Sequence, residues 1–83
     1  MEYIARVEVG LKPGHSDPEG ETTRESLKEL NYSVKEVRVN KVYLIRLEAS
    51  SFEEAERQVE EMCWRLLANP VKDEYSFRVE EAP

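Results

Sequence analysis

The sequence predicts a two-layer α+β domain with the element order β-α-β-β-α-β, an antiparallel sheet and both helices on one face. Three observations support this fold class. Short stretches alternate apolar and polar residues, two longer stretches space apolar residues as a helix does, and Pro, Gly and Asn separate them. This split βαβ order is typical of ferredoxin-like folds.

The first strand is the stretch YIARVEVGL, which alternates strictly. Its polar face carries Arg6 and Glu8, as expected for a half-buried strand. The apolar face consists of Tyr3, Ala5, Val7, Val9 and Leu11. The following stretch, KPGHSDPEG, is rich in Pro and Gly and therefore predicts a loop.

The first helix is predicted to begin at Asp17-Pro18, with Asp17 as N-cap and Pro18 at the first helical position. It should run to about Leu30 and end at Asn31, a residue type that tolerates the left-handed conformation. Its apolar stripe is thin. Gly20 lies near that stripe and would allow a close approach to the element on which the helix packs.

Two middle strands are predicted, VKEVRV over residues 34–39 and VYLIRLEA over residues 42–49. Asn40-Lys41 between them favours a tight hairpin turn, because Asn is comfortable at positive φ. The second of these strands is apolar on both faces in its first half, which favours a central position in the sheet.

The second helix is the best specified element. Ser51 and Glu54 have the spacing of a capping box, and we expect Asn69 to close the helix in the left-handed conformation before Pro70. Its predicted core stripe comprises Phe52, Ala55, Val59, Met62, Cys63 and Leu66. The last strand, YSFRV, should point Tyr75, Phe77 and Val79 inward.

The 83 residues predict one small domain, residues 1–83, with a modest core. One sheet face lacks helices of its own, and Ile4, Val42 and Leu44 are candidates for it. Because exposed apolar residues on such a face favour association, we expect a homodimer, formed through this face or through the sheet edges.

A net charge of −6 argues against nucleic acid and anionic membranes as partners. The single cysteine, Cys63, excludes an internal disulfide. The chain shows neither the apolar run of a signal peptide nor a stretch long enough to span a membrane, so a cytoplasmic location is expected.

No catalytic, cofactor-binding or metal-binding residue is predicted. His15, the one histidine, is interpreted as a solvated loop residue, and Cys63 as a buried structural thiol. The acidic run EEAERQVEE has the pattern of a solvated helix face rather than of a metal site. Trp64 falls off the core stripe, and both packing under a loop and use at an interface stay open for it.

Five blocks and one further residue stand out along this sequence: LKPG, DPEG, SLKELNY, VRVNK, EEMCWRLLANPV and the Tyr75 that follows. With these pieces in this order, the chain resembles the PurS family along nearly its whole length. The resemblance implies a small subunit of phosphoribosylformylglycinamidine synthase, which converts formylglycinamide ribonucleotide to formylglycinamidine ribonucleotide with ATP and glutamine. It further implies a single PurS-like domain and a homodimer or a tetramer of two dimers.

The resemblance also implies a division of labour. A PurL-type synthetase subunit would use ATP and Mg, a PurQ-type glutaminase subunit would release ammonia, and the PurS-like chain would bridge them without catalytic residues of its own. The candidate partner contacts then lie in the loop rich in Pro and Gly, at the Asn69-Pro70 corner and at the tryptophan before that corner. They are Lys12, Pro13, Gly14, Asp17, Pro18, Gly20, Trp64, Asn69 and Pro70.

Two other classes of domain, with different functions, have the predicted element order. An ACT-like regulatory domain would bind a small molecule at a dimer interface. An acylphosphatase-like enzyme would need an arginine-bearing phosphate loop after the first strand, and here that loop offers Lys12 and His15 but no arginine.

Overall fold

The computed structural model of residues 1–83 confirms the α+β class, with an antiparallel sheet and two helices. In chain order the elements are β1 (Glu2–Leu11), α1 (Pro18–Glu29), β2 (Lys41–Glu48), α2 (Phe52–Met62), a π-helical turn (Cys63–Leu67) and β3 (Asp73–Glu81). Neither helix is long or apolar enough to cross a membrane.

The sheet has three strands in the order β2-β1-β3, and β1 is paired antiparallel on both sides. Val7 of β1, for example, lies opposite Tyr43 of β2 and Phe77 of β3. The prediction of a central position for the strand at 42–49 is therefore wrong, because β2 lies at an edge. The strictly alternating first strand holds the centre instead.

The strand predicted at 34–39 is not formed, so the sheet has three strands rather than four. No turn or bend interrupts residues 33–40, and Asn40 does not have a positive φ. Its side chain packs on the backbone of Gly10, where an added Cβ would collide with it, and Asn40 Nδ2 donates to Glu8 Oε2 at 2.9 Å. These contacts carry the chain directly into β2, and the expected hairpin is absent.

α1 begins and ends as predicted. Asp17 Oδ1 accepts from the Gly20 N–H at 2.9 Å, Pro18 is the first helical residue, and Asn31 adopts a φ of 72° after the last turn. The other carboxylate oxygen of Asp17 accepts from the Val39 N–H at 2.8 Å.

The packing partner of α1 is the segment before β2 rather than the sheet. Gly20 is buried against the Val37 carbonyl oxygen, so closely that a side chain there would collide with it. The close approach predicted at Gly20 is thus confirmed. α1 and residues 33–40 together form an arm that leaves the inward face of β2 uncovered, where two helices over the sheet were expected.

α2 supplies the helical half of the core. Its buried residues Ala55 and Val59, with Cys63 of the π-helical turn that follows, pack on the inward side chains of β1 and β3. The sheet's contribution is Tyr3, Ala5, Val7, Val9 and Val79, with Ala68 completing the core. The inward side chains of β2 are only half-buried, because α2 lies over β1 and β3.

The predicted capping box of α2 is only half formed. Ser51 Oγ accepts from the Glu54 N–H at 3.1 Å, as expected for an N-cap. The Glu54 carboxylate does not reach back to Ser51. It accepts instead from Arg57 Nη2 at 2.6 Å and Nε at 3.0 Å, and from Gln58 Nε2 at 3.2 Å.

Replacing Val59 by Ala should lower the free energy of unfolding by about 2 kcal/mol, because a fully buried side chain is lost and a cavity is left. Urea denaturation measures this loss. Val71→Ala is the matched control, and it should change the stability by less than about 0.5 kcal/mol because Val71 is 76% exposed. Equal losses in the two variants would contradict the central position of Val59.

Glu54 should make the stability of the fold depend on acid pH. Hydrogen bonds from Arg57, and then from Gln58, lower the pKa of Glu54 from 4.5 to about 2 in the folded chain. A folded-state pKa below the unfolded one means that the contribution is complete above about pH 4.5 and is lost as the pH falls towards about 2.

Urea denaturation across this pH range should therefore show a smaller loss of stability on acidification in Glu54→Gln than in the unsubstituted chain. Added salt should reduce the difference between the two, because the pair is exposed to solvent. Identical pH profiles for the two chains would show that this pair does not stabilise the fold.

Candidate functional site

The two regions predicted as partner contacts meet at one end of the sheet. Lys12 Nζ donates to the Pro70 carbonyl oxygen at 2.8 Å, and the Lys12 N–H donates to the Lys72 carbonyl oxygen at 2.8 Å. These bonds join the loop after β1 to the corner before β3. We call the resulting surface the end cluster, formed by Lys12, Pro13, Gly14, Asn69 and Pro70.

The corner at Asn69-Pro70 is fixed by hydrogen bonds between side chains and backbone. The Asn69 N–H donates to Asp73 Oδ2, and the Asp73 N–H donates to the Asn69 carbonyl oxygen, both at 2.8 Å. Asn69 Oδ1 also accepts from the Val71 N–H at 2.9 Å. The bond from the Asn69 N–H lowers the pKa of the Asp73 carboxyl, and neighbouring Lys72 lowers it further.

The left-handed cap predicted at Asn69 is wrong, because Asn69 has no positive φ. The helix ends one residue earlier, where Ala68 is already extended and its N–H donates to the Cys63 carbonyl oxygen at 2.9 Å. Pro70 also disfavours a helical conformation at Asn69, the residue before it. The corner is therefore an extended exit from the helix, with Asn69 acting as a side-chain acceptor.

The π-helical turn changes which residues face the core. In a regular α-helix Leu66 would continue the stripe of Ala55, Val59 and Met62, but here Leu66 is 82% exposed and Leu67 packs against the core in its place. The core position predicted for Leu66 is therefore wrong. One wider turn of about 4.4 residues accounts for the shift.

Trp64 lies on the outer side of this turn and is 57% exposed. A large aromatic side chain in water contributes little to folding, whereas Trp is enriched at protein interfaces. Of the two alternatives left open for Trp64, its exposure favours an interface.

The remaining predicted contacts stand apart from the end cluster and serve the fold. Both carboxylate oxygens of Asp17 are occupied, and the Val39 N–H and then the Gly20 N–H lower the pKa of this group. Pro18 starts α1, and Gly20 is buried. No hydrogen bond joins these three residues to the end cluster.

Sequence reasoning missed Val71, which follows Pro70 and is 76% exposed. Its backbone N–H is held by Asn69, so the side chain is presented from a fixed loop beside the end cluster. The only signal in the sequence was an apolar residue placed between a helix stop and the alternating pattern of the last strand. Exposed apolar residues presented in this way are typical of binding surfaces.

The side chains that might perform chemistry are poorly placed for it. The Cys63 thiol is buried, and burial, followed by the negative charge of Glu60, raises its pKa, so that little nucleophilic thiolate is available. His15 is exposed on its loop. No group of three or more His, Cys, Asp or Glu side chains is arranged to hold a metal ion.

Comparison with known proteins gives consistent matches along the chain. The PurS family model, described as phosphoribosylformylglycinamidine (FGAM) synthase, matches residues 4–81. A relative from Archaeoglobus fulgidus, named phosphoribosylformylglycinamidine synthase subunit PurS, is 53% identical over 75 residues, covering 89% of this chain and 94% of the relative.

Solved structures agree with these matches. PurS of Methanocaldococcus jannaschii, described as one of the subunits of formylglycinamide ribonucleotide amidotransferase in the purine biosynthetic pathway, superimposes with a TM-score of 0.85 at 40% identity, covering 98% of this chain and 99% of that one. A chain in the structure of PurLQS from Thermotoga maritima gives a TM-score of 0.88 at 32% identity, covering 96% and 99%. By both sequence and fold, the chain belongs to the PurS family.

Proposed function

We propose that the chain is the non-catalytic adaptor subunit of phosphoribosylformylglycinamidine synthase. In this role it belongs to an ATP-dependent C–N ligase of purine biosynthesis that takes its nitrogen from glutamine. The observation that carries the proposal is the match along nearly the whole chain to subunits named for this enzyme, one of them a chain of PurLQS. An ACT-like function is not favoured by these matches.

The partners are a PurL-type synthetase and a PurQ-type glutaminase, and the location is the cytoplasm. ATP and Mg are used by the synthetase, while the adaptor holds the two active sites in a fixed relation. Ammonia released by the glutaminase would be protonated or lost in bulk water, so the complex benefits from a closed route between the sites. A chain that offers binding surfaces without reactive groups suits this task.

The end cluster, with Val71 and Trp64, is the surface we assign to a partner subunit. Its backbone groups are already tied by Lys12, Asn69 and Asp73, so little conformational freedom remains to be lost on binding. Val71 beside this fixed backbone and Trp64 on the π-helical turn are both exposed, and apolar and aromatic side chains of this kind are enriched at the centres of known interfaces.

The adaptor also associates with itself as a homodimer. Leu44 on the helix-free face of the sheet is 74% exposed, Val42 beside it is 45% exposed, and the outer edge of β2 is unpaired. Both of the routes to association expected from the sequence are thus available in the single chain. A tetramer of two such dimers is compatible with the same surfaces.

Glutamine-dependent synthase activity tests the proposed function. PurL-type and PurQ-type subunits from the same organism should form a three-component complex and show activity only when this chain is added. Analytical ultracentrifugation reports assembly, and each subunit alone with glutamine or with ammonium salts serves as control. If PurL and PurQ assemble and work equally well without the chain, it is not their adaptor.

Val71→Ser should weaken assembly with the partner subunits by roughly tenfold or more, because a central apolar contact is lost. The fold should be unaffected because Val71 is 76% exposed. Thr22→Ala, an exposed change on α1, is the control that should assemble normally. Titration followed by ultracentrifugation measures the affinity, and unchanged binding by Val71→Ser would remove the end cluster from the partner interface.

A further inference from the structure

We propose that the partner subunit that contacts Trp64 presents a basic surface, whose arginine or lysine side chains bind along the β3 side of α2. The inference rests on the proposed function and specifies the chemistry of the partner at this surface. Glu53, Glu56 and Glu60 follow one another along this side of α2 and lead to Trp64 in the π-helical turn. We call these four residues the glutamate stripe.

The position of the glutamate stripe follows from the helical period and from one hydrogen bond. Tyr75 Oη of β3 donates to Glu60 Oε1 at 3.0 Å, which places Glu60 on the β3 side of α2. Glu56 and Glu53 precede Glu60 by four and seven residues, so they share this side. Trp64 follows Glu60 by four residues, about one turn further along the helix. All four side chains of the stripe are exposed.

The carboxylates of the glutamate stripe are not neutralised within the chain. None of the three forms an ion pair with a lysine or an arginine. The opposite side of the helix differs, because Arg57 and Arg65 lie there between glutamates. Arg57 pairs with Glu54 at 2.6 Å and with Glu61 at 2.9 Å, and Arg65 pairs with Glu61 at 3.0 Å. The net negative charge of α2 is therefore concentrated on the β3 side.

The spacing of these glutamates is unfavourable for the isolated helix. Glu53 and Glu56 are three residues apart, and Glu56 and Glu60 are four apart. Like charges at these spacings repel each other on a helix and destabilise it. A basic partner would remove this repulsion, which no side chain of the chain itself does. An unfavourable local choice on an exposed helix face is typical of a binding surface.

Glu60 and Trp64 form the best defined part of the stripe. The bond from Tyr75 fixes the orientation of the Glu60 carboxylate, and its other oxygen, Oε2, accepts no hydrogen bond. One turn further on, the indole ring of Trp64 is 57% exposed. A cation is attracted both by a carboxylate and by the face of an aromatic ring. An arginine can stack on such a ring while it donates to a carboxylate, so this pair fits an arginine of the partner.

The charge of the stripe identifies its occupant as a basic protein surface. A second copy of this chain carries the same stripe and the same net charge of −6, so two stripes would repel each other. Nucleic acid and anionic lipid are disfavoured for the same reason. Trp64 already belongs to the surface assigned to a partner subunit, and the stripe continues that surface along α2.

The variant Glu56→Lys separates binding from stability. The new lysine would lie between Glu53 and Glu60, where it replaces two repulsions by attractions. The variant should therefore unfold at a higher urea concentration than the unsubstituted chain. Its affinity for the PurL-type and PurQ-type subunits should nevertheless fall by roughly tenfold or more, because like charges now meet across the interface. Titration followed by ultracentrifugation at low ionic strength measures this affinity.

Glu80→Lys is the matched control for this variant. It makes the same change of charge at an exposed position on the helix-free face of β3, and it should assemble normally. Equal losses of affinity in the two variants would show that only the net charge of the chain matters. Unchanged affinity in Glu56→Lys would show that the β3 side of α2 does not face a basic surface. A loss of self-association in Glu56→Lys alone would identify a second copy as the occupant.

Trp64 allows the contact to be observed directly, because it is the one tryptophan of the chain. A chain labelled with fluorotryptophan gives a single fluorine NMR resonance, which should shift when unlabelled PurL-type and PurQ-type subunits are added. In Glu60→Gln, which keeps an acceptor for Tyr75 but loses the charge, the same titration should show weaker binding. An unshifted resonance in the assembled complex would place Trp64 outside the interface.

These outcomes are distinguishable from a failure of the proposed function. If the unsubstituted chain does not assemble with the PurL-type and PurQ-type subunits, the adaptor role is rejected and this inference with it. If the unsubstituted chain assembles and Glu56→Lys assembles equally well, only the basic partner surface is rejected.

Discussion

The contact of Asn40 with the backbone of Gly10 determines the shape of this chain. At that point a hairpin would have returned residues 34–39 to the edge of β2. Instead the Asn40 side chain occupies the space that a side chain at position 10 would fill, and it is held by Glu8. Arg38 Nη2 adds a bond to the Leu11 carbonyl oxygen at 2.6 Å. The end of β1 thereby anchors the base of the arm, and residues 33–39 do not return to the edge of β2.

The arm is held together by its own contacts. Asp17 binds the start of α1 and the Val39 N–H with its two carboxylate oxygens, and Gly20 lets the helix rest on the Val37 carbonyl oxygen. The arm is thus a preformed unit with a fixed base. An element of that kind loses little conformational freedom when a second chain covers it.

Much of this structure could be predicted from the sequence, namely the elements whose conformation is determined by residues close to one another in the chain. The alternation of β1, the Asp17-Pro18 start of α1 and the left-handed Asn31 depend on neighbouring residues, and all three are confirmed. The errors arise where contacts distant in sequence decide. Asn40 is a good turn residue, but Glu8 and Gly10 hold it in another conformation. Leu66 fits the helical period, but one π-helical turn moves it off the core.

In the candidate site, too, the sequence identified individual residues but not the contacts between residues distant in the chain. Lys12 was recognised in the Pro- and Gly-rich loop after the first strand, and Pro70 in the Asn-Pro stop after the second helix. Only the fold reveals that the two residues are joined by a hydrogen bond. Val71 could not be identified because an exposed valine and a buried valine have the same sequence signal. The alternating pattern of β3 begins only after it.

The small size of the chain connects the fold to the adaptor role. Only ten of the 83 residues are buried, and nearly all of them lie between α2 and the strands β1 and β3. The arm and β2 contribute almost no fully buried side chain. The open edge at β2 would be an aggregation risk if it were flat and apolar, yet Lys41, Arg46 and Glu48 place charges along it. A net charge of −6 adds repulsion between copies that meet in the wrong register. A chain with so small a core gains stability when it associates with other chains, and its surface charges disfavour incorrect association.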